Sequence, residues 1–198
     1  QRPEDFLYLL ARCVKAAIRY NSNGEFNNSP DNRRRGAHPL TMERHIRGAS
    51  RLLAERTKLL TGDFRRVLSL AKPSDVVYMD PPYQGVCRTH NHRYVRAVAF
   101  DDFVEALREL HRRDVPFVVS YDGRTGDKRF GRSLPGDLKL MRLEVPAGRS
   151  TQATLLGRTH LTYESLYLSR KLVERGGAGF LSCGRALPDQ LSLFSEAV

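Results

Sequence analysis

The four consecutive residues Asp80, Pro81, Pro82 and Tyr83 combine the groups needed to hold a primary amine while it reacts. The Asp80 carboxylate and the main-chain carbonyl of Pro81 are hydrogen-bond acceptors, and acceptors fixed in advance stabilise positive charge as it develops on a nitrogen. The two prolines restrict the backbone torsions and lack the N–H donors that would compete for those acceptors. Tyr83 adds a flat ring on which a planar base could stack. The alternative is an ordinary Asp-Pro-Pro turn in which Tyr83 only packs on its neighbours.

The segments on either side predict how this motif is positioned. Residues 75–80 (DVVYMD) and 115–121 (VPFVVSY) are apolar, β-branched runs. Between them, residues 103–113 have helical spacing, with Asp101 predicted as the N-cap. Apolar strands that alternate with helices predict a mostly parallel sheet covered on both faces. Since ligands bind at the carboxyl ends of strands in such sheets, Asp80 is predicted to lie at a binding edge.

The same kind of periodicity predicts further elements. Apolar residues at helical spacing predict helices at 5–20, 42–57 and 65–72. Short apolar runs predict strands at 58–64, 138–145 and 163–169. The polar stretch 21–41, which contains an arginine triplet, is predicted to form a loop or small insert. The Gly-rich and then polar tail from Glu174 to Val198 is predicted to be flexible.

The composition indicates one basic globular domain. The chain has 198 residues, of which 40% are hydrophobic, and its formal net charge is +11. Such an excess of Lys and Arg fits a polyanionic partner, because neutralising phosphates releases condensed counterions; it fits a solvated basic surface equally well. No run is long enough for a membrane span and no signal peptide opens the chain, so we expect a cytoplasmic protein without a membrane partner.

The cysteines and histidines do not predict a metal site. Cys13, Cys87 and Cys183 are few and far apart, which is typical of reduced thiols rather than of a disulfide framework. Cys87 lies close to His90 and His92, but their spacing matches no standard zinc site and no second ligand pair follows. We therefore expect no metal.

Taken in order, the motifs resemble those of the Dam-like family of DNA adenine-specific (N6) methyltransferases. The resemblance runs to about Ser169 and rests on these segments: RYNSNGEFN (19–27), TGDF (61–64), VVYMDPPY (76–83), VVSYDG (118–123), GRST (148–151) and YESLYLS (163–169). It implies an α/β, Rossmann-like S-adenosylmethionine-dependent methyltransferase fold with a small DNA-recognition insert. The implied reaction moves a methyl group from S-adenosylmethionine to the N6 amine of an adenine flipped out of duplex DNA.

The resemblance assigns roles to residues in and near the pocket. The Asp-Pro-Pro-Tyr motif would bind the target amine, with Asp80 also next to the cofactor. Asp63 and Phe64 would contact the adenine of S-adenosylmethionine, since a carboxylate can accept from its amine and a ring can pack on its face. The alternative for Asp63 is a helix N-cap. Tyr121 and Asp122, at the end of the next strand, would line the pocket.

The DNA contacts implied by the resemblance lie in the insert and after the later strands. They are Arg33, Arg34, Arg35, His38, Tyr121, Arg149 and Ser150. The residues of the insert could contact phosphates or bases, and the sequence does not separate the two. Their alternative is a solvated basic loop. Arg149 and Ser150 would touch the DNA backbone.

One part of the family pattern is absent from the sequence. The family begins with a Gly-rich loop, typically Phe-x-Gly-x-Gly, and an acidic residue that holds the cofactor ribose, and neither occurs before Asp5. The run Gly176 to Phe180 cannot replace the loop, because it follows the last predicted strand. We therefore expect the first strands and half of the cofactor site to come from missing N-terminal sequence, which fits Gln1 as first residue, or from a second subunit. The alternative is an inactive remnant.

A second short motif lies near the C-terminus. Gln190, Leu191, Leu193 and Phe194, within QLSLF, resemble the peptide with which bacterial enzymes bind the replication sliding clamp. Such a tail could place Leu and Phe in an apolar pocket while Gln supplies an oriented hydrogen bond. The alternative is that these apolar residues pack on the domain itself.

The predicted organisation has four parts: a helix of the catalytic domain (1–20), the DNA-recognition insert (21–57), the methyltransferase core (58–173) and the tail (174–198). Two other functions fit the same sequence. A cytosine-N4 methyltransferase would use similar chemistry, although that group more often has Ser in place of Asp80. A non-catalytic DNA-binding subunit could have kept the fold. The sequence identifies neither the methylated DNA site nor a paired restriction endonuclease.

Overall fold

The computed structural model describes residues 2–13, 18–21, 23–31, 36–82, 98–126, 128–149, 161–176 and 185–186. The chain divides into two compact units, one of Gln1–Thr61 with His90–Val95 and the other of Gly62–Thr89 with Arg96–Val198. Residues 1–20 lie in the first unit together with residues 21–61. The functional division into insert and core stays a prediction.

The described residues of the first unit form two helices and two isolated β-bridges. Helix α1 spans Pro3–Arg12 and helix α2 spans Pro39–Leu53, and each has a proline in its first turn, where a missing N–H costs no hydrogen bond. The helix predicted at 5–20 is too long, since Cys13 is already extended and bridges Pro30. The predicted loop contains an antiparallel bridge between Tyr20 and Phe26. Neither helix buries a residue.

The second unit is built on a six-stranded sheet. Its strands are β1 (Val77–Met79), β2 (Phe117–Thr125), β3 (Lys128–Phe130), β4 (Met141–Arg149), β5 (Leu161–Leu168) and β6 (Arg185–Ala186). The order is β1-β2-β5-β4-β6, and β3 pairs with the far end of β2. Strands β1 and β2 are parallel, whereas β5 is antiparallel to both of its neighbours, β2 and β4.

The prediction of an α/β chain is confirmed, but the prediction of a mostly parallel sheet is wrong for the described strands. Only β1 and β2 pair in parallel, because β5 turns back between β2 and β4. A buried antiparallel strand has the same apolar sequence as a buried parallel one when helices cover both faces of the sheet. Its direction therefore could not be derived from composition.

Helices cover the sheet on both faces. Helices α3 (Phe64–Leu70) and α4 (Phe100–Arg112) contribute to the larger core, in which Phe103, Leu107 and Leu110 pack with Phe117 and Val119. Helix α5 (Arg170–Gly176) covers the other face, where Leu172 packs with Met141, Leu143 and Leu168. Successive β-strand side chains point to opposite faces, so Val118 packs in the second core and Val119 in the first.

Three further predictions differ from the structure. Residues 58–63 do not form a strand; Leu59 is 90% exposed and no described strand lies beside it to pair with. Helix α4 begins at Phe100 with Ala99 as N-cap, so Asp101 lies in its first turn instead. The tail predicted from Glu174 still contains the end of α5 and the two residues of β6, which pair with β4. Within the described ranges, no helix is long and apolar enough to cross a membrane.

Candidate active site

Asp80 lies directly after β1, at the carboxyl end of the parallel pair. Val77 N–H donates to the Pro116 carbonyl at 2.9 Å, and the register pairs Met79 with Val119. Strand β2 continues to Thr125, and Asp80 therefore lies beside Ser120 at the carboxyl end of β1. This is the position that ligands occupy in open α/β sheets.

The Asp80 side chain is exposed, and it belongs to no ion pair between described residues. Pro81 and Pro82 follow it and are partly buried. The edge thus presents an accessible carboxylate followed by two residues that have no N–H group. Tyr83 lies outside the described residues.

Asp63 is the N-cap of α3, as the alternative for this residue predicted. Its Oδ1 accepts from the backbone N–H of Arg65 at 2.9 Å, and its Oδ2 accepts from the Arg65 guanidinium at 2.8 Å. These hydrogen bonds lower the pKa of Asp63 to about 2, so the carboxylate is ionised at neutral pH. The side chain keeps 45% of its surface exposed, which leaves room for a further donor.

Phe64 joins the start of α3 to the larger core. Its partly buried ring lies 6.2 Å from the ring of Phe103, centroid to centroid, with the planes tilted by 57°. Such tilted pairs are favourable beyond the area they bury. The packing holds the N-terminus of α3 against α4, and it leaves part of the Phe64 ring accessible.

Tyr121 is a core residue and does not line an open pocket. It is 2% exposed, and its ring lies 5.8 Å from that of Phe103 and 6.5 Å from that of Phe100. Burial, with a smaller contribution from the charge of Asp122, raises the pKa of Tyr121 to about 12. The structure thus places this side chain in the core, and the predicted DNA contact stays a prediction. Alternate residues of β2 point to the same face, so Phe117, Val119 and Tyr121 all face the larger core. This spacing was the sequence signal for the burial of Tyr121.

Asp122 is also buried, at 3% exposure, and its predicted place in the pocket lining stays a prediction. Its Oδ2 accepts from the Tyr167 hydroxyl at 2.5 Å, and its Oδ1 accepts from the Arg142 guanidinium at 3.3 Å. Arg142 also donates to the Ser165 hydroxyl at 2.7 Å. Burial, followed by the hydrogen bond to Asp122, raises the pKa of Tyr167. The charges of Asp122 and Arg142 can be buried together because they are paired.

A β-bulge produces this arrangement. The pairing of β2 with β5 slips between Ser120 and Gly123, and Asp122 takes a left-handed φ of 56°. A Cβ on Gly123 would lie 2.5 Å from the Tyr163 carbonyl oxygen, so only glycine fits there. The bulge begins at Ser120, the residue that emerges beside Asp80. Strained backbone of this kind occurs often at functional sites.

A separate cavity of about 360 Å³ lies between α3 and α4. Its lining includes Arg65, Leu68, Asp102, Glu105 and Arg113. None of the residues 80–82 lines it, so it is distinct from the edge that carries the Asp-Pro-Pro sequence.

Comparison with known families identifies the family of the chain. Residues 1–146 match the model of the D12 class N6 adenine-specific DNA methyltransferase family. The chain belongs to this family.

Curated relatives of this D12-class chain include three proteins named as methyltransferases or methylases. It is 28% identical over 127 residues to the DNA N-6-adenine-methyltransferase of Escherichia phage P1. The aligned region covers 62% of this chain and 16% of the relative. It is 28% identical over 125 residues to the Type II methyltransferase M.MjaIII of Methanocaldococcus jannaschii, with 61% and 42% covered. It is 35% identical over 80 residues to the Retron Ec67 DNA adenine methylase of Escherichia coli, with 40% and 27% covered. The match spans less than half the length of each relative.

The other predicted contacts of the D12-class chain are only partly described. His38 is the exposed N-cap residue of α2 and makes no capping hydrogen bond with its side chain. Arg149 ends β4, where its backbone pairs with Leu161. The remaining predicted residues lie outside the described ranges: Arg33, Arg34, Arg35, Ser150, Gln190, Leu191, Leu193 and Phe194, together with Cys87, His90 and His92.

Proposed function

We propose that this chain forms the catalytic edge of an enzyme that methylates the N6 amine of an adenine in duplex DNA, with S-adenosylmethionine as methyl donor. The observation that carries the proposal is the accessible Asp80 carboxylate at the carboxyl end of β1, in a chain of the D12 class. The fold would be the later part of a Rossmann-like methyltransferase, acting on DNA at the bacterial or phage-type nucleoid.

The groups at this edge match what the methylation of an adenine amine requires. The lone pair of an adenine amine is delocalised into the ring, so the nitrogen must become tetrahedral and take up positive charge as it attacks. When bound, S-adenosylmethionine would supply a methyl group on a sulfonium: the N–C bond would form as the C–S bond breaks, the thioether product would leave, and the methylated nitrogen would lose a proton to solvent. The Asp80 carboxylate and the Pro81 carbonyl would accept hydrogen bonds from the two N–H groups of the amine and favour that charged state. The base must first leave the helix, and Tyr83 would stack on it.

The cofactor adenine would lie at the N-terminus of α3. Phe64 offers a partly exposed ring, and Asp63 is ionised with one edge already held by Arg65. The remaining exposure of Asp63 is compatible with accepting one more N–H from an adenine amine. A Gly-rich loop from another segment of the protein, or from a second subunit, would complete this site.

Mass analysis of methylated nucleosides tests the proposal. The complete protein that contains this chain, with any subunit that copurifies, is incubated with duplex DNA and S-adenosylmethionine. We expect N6-methyladenine as the product. N4-methylcytosine would instead support the cytosine reaction, and the absence of any methylated base would support a non-catalytic DNA-binding subunit.

We also propose that the QLSLF tail binds the sliding clamp. Leu191, Leu193 and Phe194 would fill an apolar pocket, with Gln190 fixing the orientation. Deleting residues 190–198 should abolish clamp pull-down and leave the circular dichroism spectrum unchanged. Unchanged pull-down would contradict the proposal.

A further inference from the structure

Helix α2 carries three arginines on one stripe. Arg44, Arg47 and Arg51 are separated by three and four residues, and all are exposed. An α-helix has 3.6 residues per turn, so residues at this spacing share a face, and the stripe extends for about 10 Å at 1.5 Å per residue.

The opposite side of α2 is apolar. Met42, Ile46, Ala49 and Leu53 follow one another at intervals of three and four residues, about half a turn away from the arginines. The three guanidinium groups therefore lie together on one side of the helix, away from the apolar stripe.

The positive charge of this stripe is not balanced by nearby acids. Glu43 is the single acidic residue of α2, and it pairs with Arg47 at 2.8 Å with both side chains more than half exposed. An exposed pair of this kind is weak and is readily exchanged for another anion. Arg44 and Arg51 belong to no ion pair between described residues.

Helix α4 shows that a surplus of arginines over acids is not found on every described helix of this chain. It contains two arginines and four acidic residues, and both arginines are paired. Arg108 binds Asp137 at 3.0 Å, and Arg112 binds Glu109. Helix α2 thus carries more arginines than acids, and it buries none of its own residues.

We propose that Arg44, Arg47 and Arg51 form a surface that binds the phosphate backbone of duplex DNA. Guanidinium groups bind phosphate oxygens through two parallel hydrogen bonds and retain their charge at every physiological pH. The proposal rests on the proposed function only in taking DNA as the partner. It adds a contact on α2, separate from the loop 33–38, that fixes the protein on any duplex without reading its sequence.

The salt dependence of DNA binding tests this surface. The complete protein is compared with its R44Q/R47Q/R51Q variant by fluorescence anisotropy on a duplex of random sequence. Each phosphate contact contributes about 0.9 to the slope of log K against log salt, so the slope should fall by about 2.7. Between 50 and 200 mM salt, the wild type should then lose about 40-fold more affinity than the variant. Glutamine is a good helix former, so α2 should persist.

A matched control separates a local contact from net charge. The R108Q/R112Q/R170Q variant also loses three charges, but each of these arginines is paired with an acid in the structure. Its slope should stay close to that of the wild type. Equal slopes for the two triple variants would overturn the proposal, and so would a wild type that does not bind DNA.

Two further results distinguish the proposals. A lower slope for the α2 variant without any methylated product would support the interface while contradicting the methyltransferase function. Methylation with an unchanged slope would contradict the interface alone. If the α2 substitutions weakened binding of an RNA duplex and left DNA binding intact, the partner class would be RNA and the proposal would be wrong.

Discussion

Helices α2 and α4 are both amphipathic and both contain several arginines, but they use these residues differently. Helix α4 buries Phe103, Val104, Leu107 and Leu110 and pairs its arginines with acids on its own surface or beside it. Helix α2 buries nothing and has one acid for three arginines. The two helices therefore differ in the number of acids close to their arginines rather than in arginine content alone.

The same contrast holds for the ion pairs of the two units. The Glu43–Arg47 pair on α2 is exposed, whereas the side chains of Asp122 and Arg142 are 4% and 10% exposed and share further hydrogen bonds with Tyr167 and Ser165. Solvent screens the first pair and hardly reaches the second. Charge thus serves the fold in the sheet, and it remains available for a ligand on α2.

The largest effect is expected from breaking the buried pair. Asp122→Asn keeps a side chain that tolerates the left-handed backbone, but it removes the closer of the two carboxylates that pair with Arg142, leaving Glu144 at 3.8 Å, and should destabilise the protein by about 3 to 5 kcal/mol. Glu43→Gln, the matched change on α2, should cost at most about 0.5 kcal/mol. Urea denaturation measures both. Similar losses of stability for the two variants would contradict the difference between the buried and the exposed ion pair.

The next effect is expected from truncating apolar side chains on the two helices. Leu107 is 0% exposed on α4, so Leu107→Ala should cost about 3 kcal/mol through lost burial and the cavity that remains. Ile46 is 50% exposed on α2, so Ile46→Ala should cost under about 1 kcal/mol in the isolated protein. A large loss of stability in Ile46→Ala would show that the apolar stripe of α2 is packed. The arginines on the opposite stripe would then face solvent.

A smaller, pH-dependent effect is expected at the start of α3. The pKa of Asp63 is lowered from 3.8 to about 2 in the folded protein, so its contribution to stability is complete above pH 4 and is lost as the pH falls through 2. Wild type and Asp63→Asn should therefore differ in melting temperature at pH 6 and converge near pH 2. A constant difference over this range would show that the Arg65 hydrogen bonds do not depend on the charge.

The local features of the fold could be predicted from sequence, but those that depend on distant residues could not. The apolar run before Asp80 predicted β1, and the N-cap alternative for Asp63 is confirmed. Both features depend on residues that are adjacent in the sequence. Asp122 was expected at a pocket, whereas its partners are 20 and 45 residues away in sequence. The leucines at 59 and 60 suggested a strand, although they find no described strand to pair with.

The central claim is that the Asp80 carboxylate holds the amine that is methylated. Single-turnover methylation with saturating DNA measures this most directly, comparing wild type with Asp80→Ala and with Asp101→Ala, whose side chain is 94% exposed on α4. We predict that Asp80→Ala lowers the rate constant by roughly 100-fold or more with unchanged DNA affinity, as for other groups that stabilise developing charge, and that Asp101→Ala has no effect. An Asp80→Ala enzyme that methylates adenine at the wild-type rate would contradict the account.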